Sequence, residues 1–190
     1  MIRLIIGLGN PGKEYEQTRH NAGAWFVESL ALQHHTSLKL ESKFKSHVGV
    51  IKIGSQECRL CIPITFMNLS GQAVSSIANF YKISPENILV AHDELDFPPG
   101  KTRMKFDGSA GGHNGLFDVI KHLGSTEFYR LRIGIGRPEH KDFANYVLNA
   151  PSTNEKQQII SSFDKALQAV PQLVSGNIAE AMQAINTDFS

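Results

Sequence analysis

Long hydrophobic runs are missing from this sequence. The opening stretch from Ile2 to Leu8 is too short to cross a bilayer, and Gly9-Asn10-Pro11-Gly12 breaks it. It is therefore read as neither a signal peptide nor an anchor, and a cytoplasmic location is expected. Cysteine is scarce as well: Cys58 and Cys61 are the only two. They form a C-x-x-C, but Cys58 to Ile62 has the character of a strand, on which side chains three apart point to opposite faces. Two reduced, largely packed thiols are the expected reading, with redox or zinc chemistry the weaker alternative.

Several catalytic signatures are absent too. The sequence contains no Gly-x-Ser-x-Gly elbow, no His-Glu-x-x-His and no other closely spaced set of metal ligands. Among hydrolytic routes this leaves direct attack by base-activated water. Internal repeats, linkers and low-complexity segments are lacking.

What remains is ordinary globular material. With 190 residues and 41% hydrophobic content, the chain can bury the core of one compact domain across residues 1–190. The net charge of +1 says nothing about nucleic acid, because a basic face can be balanced elsewhere.

Periodicity predicts a buried strand over residues 2–8 and a helix over 21–33 with Phe26, Val27, Leu30 and Ala31 inward. Two strands follow at 48–53 and 57–62, turning at Gly54-Ser55, then a helix carrying Val74, Ile77, Ala78 and Tyr81. An apolar strand covers 88–91 and an alternating one 101–106. A glycine-rich loop at 108–112 leads to a helix with Leu116, Val119, Ile120 and Leu123, stopped at Gly124. Another strand spans 131–135. Residues 153–176 read as helical, with Pro171 expected to kink or divide them, and a short helix covers 178–185. The fold class expected is α/β: a mixed twisted sheet with helices on both faces.

Gly7-Leu-Gly9-Asn-Pro-Gly12 follows a strand and matches the G-x-G-x-x-G dinucleotide fingerprint. That fingerprint needs a helix starting within the glycines and an acidic residue ending the next strand. Lys13 to Thr18 carries no apolar stripe and Glu28 falls inside the first helix, so a nicotinamide or flavin enzyme is the weaker alternative.

Thr18-Arg19-His20-Asn21 lies at the start of the first helix, with Thr18 a possible N-cap. Asn10 ends the first strand and Asp93 follows the apolar strand at 88–91. If those strands run parallel, both side chains reach the carboxyl edge of the sheet, where α/β proteins place their sites. Asp93 could then hold one ring nitrogen of His20 while the other accepts a proton from water. Asp93 should raise the His20 pKa and a helix N-terminus should lower it, so sequence does not sign the shift.

Phe66, Met67 and Asn68 precede the second helix, and Asn114 follows the glycine loop. Asn68 could be merely an N-cap and Phe66 merely core. Alternatively Asn10, Asn68 and Asn114 offer neutral donors suited to a peptide and to a developing oxyanion. Between residues 100 and 137, seven Lys and Arg face three carboxylates, a net of +4. Lys101, Arg103 and Lys105 share one strand face, which suits phosphates, although lysines also guard exposed sheet edges.

Together these residues resemble the bacterial-type peptidyl-tRNA hydrolase family. The resemblance is carried by Ile5 to Gly12, Thr18-Arg-His-Asn-Ala-Gly23, Thr65-Phe-Met-Asn-Leu-Ser-Gly71, His92-Asp-Glu-Leu-Asp96, Gly111-Gly-His-Asn-Gly115 and Gly134-Ile-Gly136. It implies a monomeric enzyme of translation that releases peptide and free tRNA from peptidyl-tRNA, with no obligate protein partner. It further implies that His20 is the base, that Asp93 keeps it in its accepting form, and that Asn10 helps distinguish N-blocked peptidyl groups from free aminoacyl ones. Tyr15, Phe66, Met67, Asn68 and Asn114 would line the substrate cleft, and Lys105 and Arg132 would meet the tRNA backbone. Two departures stand out: Phe117 replaces a usual basic residue, and the C-terminal third matches loosely. An RNA-binding module without catalysis is the other alternative.

Overall fold

The computed structural model describes residues 1–139 and 142–187. One seven-stranded sheet runs through it, in the order β2-β3-β4-β1-β5-β7-β6. Its strands are β1 (Leu4–Gly7), β2 (Lys39–Glu41), β3 (Ser46–Ile53), β4 (Gln56–Pro63), β5 (Ile88–Glu94), β6 (Thr102–Phe106) and β7 (Tyr129–Gly134). The four central strands are parallel, and β2, β3 and β6 make the sheet mixed by pairing antiparallel.

Central strands covered on both sides must be apolar on both sides, and β1 shows the consequence. Ile5 packs with α1 (Ala22–Gln33), α6 (Asp164–Ser175) and α7 (Ile178–Asn186), around Phe26, Phe163, Leu173 and Ile185. Leu4 and Ile6 pack with α2 (Ser70–Phe80) and α3 (Asn114–Leu123), around Val74, Ile77 and Val119. Cys58 and Cys61 fall into these two opposite layers as free, buried thiols, and burial pushes each up to about 12.

The glycine run after β1 serves packing. A Cβ on Gly7 would stand 2.4 Å from the Gly23 carbonyl oxygen, and one on Gly23 would stand 2.2 Å from that of Ala91. Bare backbone at both positions lets α1 lie directly on β1 and β5. The helix begins only at Ala22, ten residues beyond Gly12, so no helix N-terminus opens inside the glycines. The dinucleotide reading fails on this geometry.

Other expectations need correction. Thr18 does not cap with its side chain; its hydroxyl donates to the Tyr15 carbonyl at 2.8 Å. Pro171 lies inside α6, and the break falls at Ser162-Phe163, where α5 (Thr153–Ser161) ends. There Phe163 turns inward, fully buried and edge-on to Phe26 at 5.6 Å, and core burial sets the boundary. The helix α4 (Phe143–Val147) and the short β2 had no periodic signal. Among the described residues, no helix is long and apolar enough to cross a membrane.

Candidate active site

Strands β1 and β5 pair in parallel register, Leu4 with Ile88 through Gly7 with Ala91. Asn10 and Asp93 consequently emerge at the same carboxyl edge. A 3-10 turn over Arg19–Asn21 delivers His20 to that edge from above. Arg19, which carried no signal in the sequence, fixes the turn. Its guanidinium donates to the carbonyls of Tyr146, Asn149 and Ala150 at 3.2–3.4 Å and pairs with Glu155 at 3.2 Å.

His20 Nδ1 lies 2.9 Å from each Asp93 carboxylate oxygen, and both residues are buried. Asp93 is acceptor-only when ionised, so Nδ1 carries the proton and Nε2 keeps its lone pair. Burial lowers the His20 pKa, but the charge and hydrogen bond of Asp93 outweigh it, and the net shift is upward. Burial alone would raise Asp93; the His20 and His113 charges and donors reverse that and hold it well below the usual carboxylate range.

A second histidine shares this carboxylate. His113 is the N-cap of α3: its Nδ1 accepts from the Leu116 N–H at 3.2 Å. That bond puts the proton on Nε2, which donates to Asp93 Oδ1 at 2.9 Å. The capping role that links His113 to the site was missed in the sequence, where Asn114 drew attention instead. His92 is buried behind the pair and donates from Nδ1 to the Asp93 carbonyl at 2.8 Å. Burial and the neighbouring His113 push it down to about 3.

His20, Asp93 and His113 are the one set among the described residues whose ligand atoms could gather round a metal ion, all within 4.8 Å. Their contacts of 2.9 Å are hydrogen-bond lengths, and each proton has an assigned donor and acceptor.

A cleft of about 650 Å³ opens on this group, lined by His20, Asp93 and Asn114 and by the cations Lys105, Arg130, Arg132 and Arg137. Arg103 pairs with Arg132, and Lys105 with Arg130, across β6 and β7, so all four lie on one sheet face. Burial, then the charges of Arg132 and Arg130, lower the Lys105 pKa. The cations are less free than the sequence count suggested, because Glu94 pairs with Arg132 and Asp96 with Arg137.

The remaining site candidates form an adjoining group. Asn10 Oδ1 accepts from the Met67 N–H at 2.7 Å, and its main chain exchanges two bonds with the Asn21 side chain. Tyr15 and Phe66 meet edge to face at 6.2 Å. The two groups touch at Gly115, where an added Cβ would fall 2.4 Å from Met67 Sδ and 3.0 Å from the His113 ring. Phe66 is 53% exposed, not core, and Asn68 is exposed and caps no helix: Phe66 and Leu69 hold the cap positions. Phe117 is 65% exposed on α3, an aromatic where the resemblance led one to expect a cation.

A protein-family model described as peptidyl-tRNA hydrolase matches residues 4–190. The chain belongs to the peptidyl-tRNA hydrolase family. It is 50% identical to the peptidyl-tRNA hydrolase of Legionella pneumophila (strain Lens) over 186 residues, covering 97% of this chain and 98% of that one. To that of Coxiella burnetii (strain RSA 331 / Henzerling II) it is 51% identical, covering 98% of both chains. The crystal structure of peptidyl-tRNA hydrolase from Acinetobacter baumannii superposes with a TM-score of 0.94 at 49% identity, covering 98% of this chain and 95% of that one. The family match includes the C-terminal third, which the motifs alone had left loosely attached.

Proposed function

We propose that this chain, as one domain across residues 1–190, hydrolyses the ester joining a peptide to the 3′ end of its tRNA, with His20 activating the attacking water. The carrying observation is the His20–Asp93 pair, set at the sheet edge in a cleft rimmed with cations. His20 Nε2 takes a proton from water as its oxygen attacks the ester carbonyl. The bond to the ribose oxygen then breaks and the proton passes to that oxygen, giving free tRNA and a peptide carboxylate. Asp93 stabilises the imidazolium between these events.

Asn10, fixed by Met67 and Asn21, is assigned to reading the blocked peptide amine. Tyr15, Phe66, Met67, Asn68 and Asn114 are assigned to the peptide and the terminal nucleotide, and Lys105 and Arg132 to tRNA phosphates. We place the reaction in the cytoplasm, carried out by a monomer without metal or organic cofactor.

The test presents N-acetyl-aminoacyl-tRNA and unblocked aminoacyl-tRNA to the purified chain in EDTA. Release from the blocked substrate alone is expected. His20→Ala should lose about 10²-fold or more in turnover while tRNA binding persists. Binding without release in the unaltered chain would instead favour an RNA-binding module.

A further inference from the structure

Deacylated tRNA keeps every phosphate of the substrate. An enzyme that draws its affinity from phosphates therefore binds product nearly as tightly as substrate, and excess affinity slows turnover instead of speeding it. One cation of the cleft already has a carboxylate against it. Glu94 Oε2 accepts from Arg132 Nε at 2.9 Å, with side-chain exposures of 16% and 21%. The Arg132 guanidinium also lies over the Phe97 ring, 4.3 Å from its centroid, so both partners are held in place. Asp96 pairs with Arg137 in the same manner, but both of those side chains are 54% exposed, and such a pair is weak.

Resting on the assignment of Lys105 and Arg132 to tRNA phosphates, we propose that Glu94 is a built-in counter-anion that competes with RNA phosphate for Arg132 and keeps product tRNA releasable. A phosphate approaching Arg132 must displace or share a carboxylate already hydrogen-bonded there. With Glu94 in place the pair carries no net charge, so it displaces few of the cations condensed on the RNA, and its contribution to binding is muted. Glu94 suits substitution by glutamine, because its other oxygen, Oε1, accepts from the Asp96 N–H at 3.0 Å, a bond an amide oxygen can keep.

The test measures dissociation constants for deacylated tRNA over a range of salt, for the unaltered chain, Glu94→Gln, Arg132→Gln, Lys105→Gln and the Glu94→Gln/Arg132→Gln double variant. Glu94→Gln should bind about two- to fivefold more tightly, the upper part of what an ion pair near the surface is worth. Its log–log salt slope should steepen by about one, and steady-state turnover should become limited by tRNA release. In the double variant that gain should vanish, since it acts through Arg132. Equal or weaker binding by Glu94→Gln, or a gain that survives in the double variant, overturns the proposal. If Lys105→Gln and Arg132→Gln alone leave affinity and salt slope unchanged, the phosphate assignment itself fails, and the proposal falls with it.

Discussion

His20 and His113 bind the same carboxylate oxygen: Asp93 Oδ1 stands 2.9 Å from Nδ1 of one ring and 2.9 Å from Nε2 of the other, with the ring centroids 4.9 Å apart. The strength with which Asp93 acts on His20 therefore depends on what His113 draws from it.

Replacing His113 by alanine removes one donor from Asp93 and opens the space beside His20. The undivided carboxylate charge and the reduced burial both raise the His20 pKa. The acid limb of kcat/KM against pH should move to higher pH. A limb that stays in place would show that His113 has no electrostatic hold on His20.

Asp93→Asn predicts the opposite direction. The carboxylate charge that outweighs burial at His20 is removed while the burial remains, so the acid limb should move down, below the ordinary histidine value of about 6.5. Turnover should also fall by about 10²-fold or more, because the amide no longer fixes the productive tautomer. An unchanged or raised limb contradicts the assignment of Asp93 as the partner that raises His20.

His92 is a buried histidine whose protonation the fold opposes. Held down to about 3 in the folded chain, against about 6.5 when unfolded, it favours the folded state above pH 6.5, and that contribution is lost as pH falls from there towards 3. His92→Asn can keep the bond to the Asp93 carbonyl but does not titrate. The difference in urea unfolding free energy between the two proteins should change across this window by at most about 1.4 kcal/mol per pH unit. A pH-independent difference would mean that His92 does not enter protonation linkage.

Gly7→Ala separates a packing glycine from a nucleotide-binding one. Its Cβ would meet the Gly23 carbonyl oxygen at 2.4 Å and Val27 Cγ2 at 2.8 Å. Unfolding should become easier by about 1–3 kcal/mol, with no NAD binding in either protein. A loss of less than about 0.5 kcal/mol would show that α1 does not lie as close to β1 as the structure has it.

The sequence alone determined the order and type of the main elements, since apolar residues at period two or near 3.6 commit each segment to one face before any tertiary contact forms. It also placed Asn10 and Asp93 at one sheet edge, with His20 near by, on the condition that their strands run parallel, and the pairing of β1 with β5 meets that condition. Tertiary structure decided what local pattern cannot encode. His113 acquires its role from a cap that orients one ring nitrogen and frees the other. Arg19 holds the His20 turn through carbonyls more than 120 residues away. The net +4 of residues 100–137 is reduced by Glu94 and Asp96, which lie outside that stretch and reach Arg132 and Arg137 across the sheet edge. Periodicity records which side of an element is apolar; the sign of the His20 shift and the strength of the basic face depend on distances between elements, which are fixed only when the sheet is assembled.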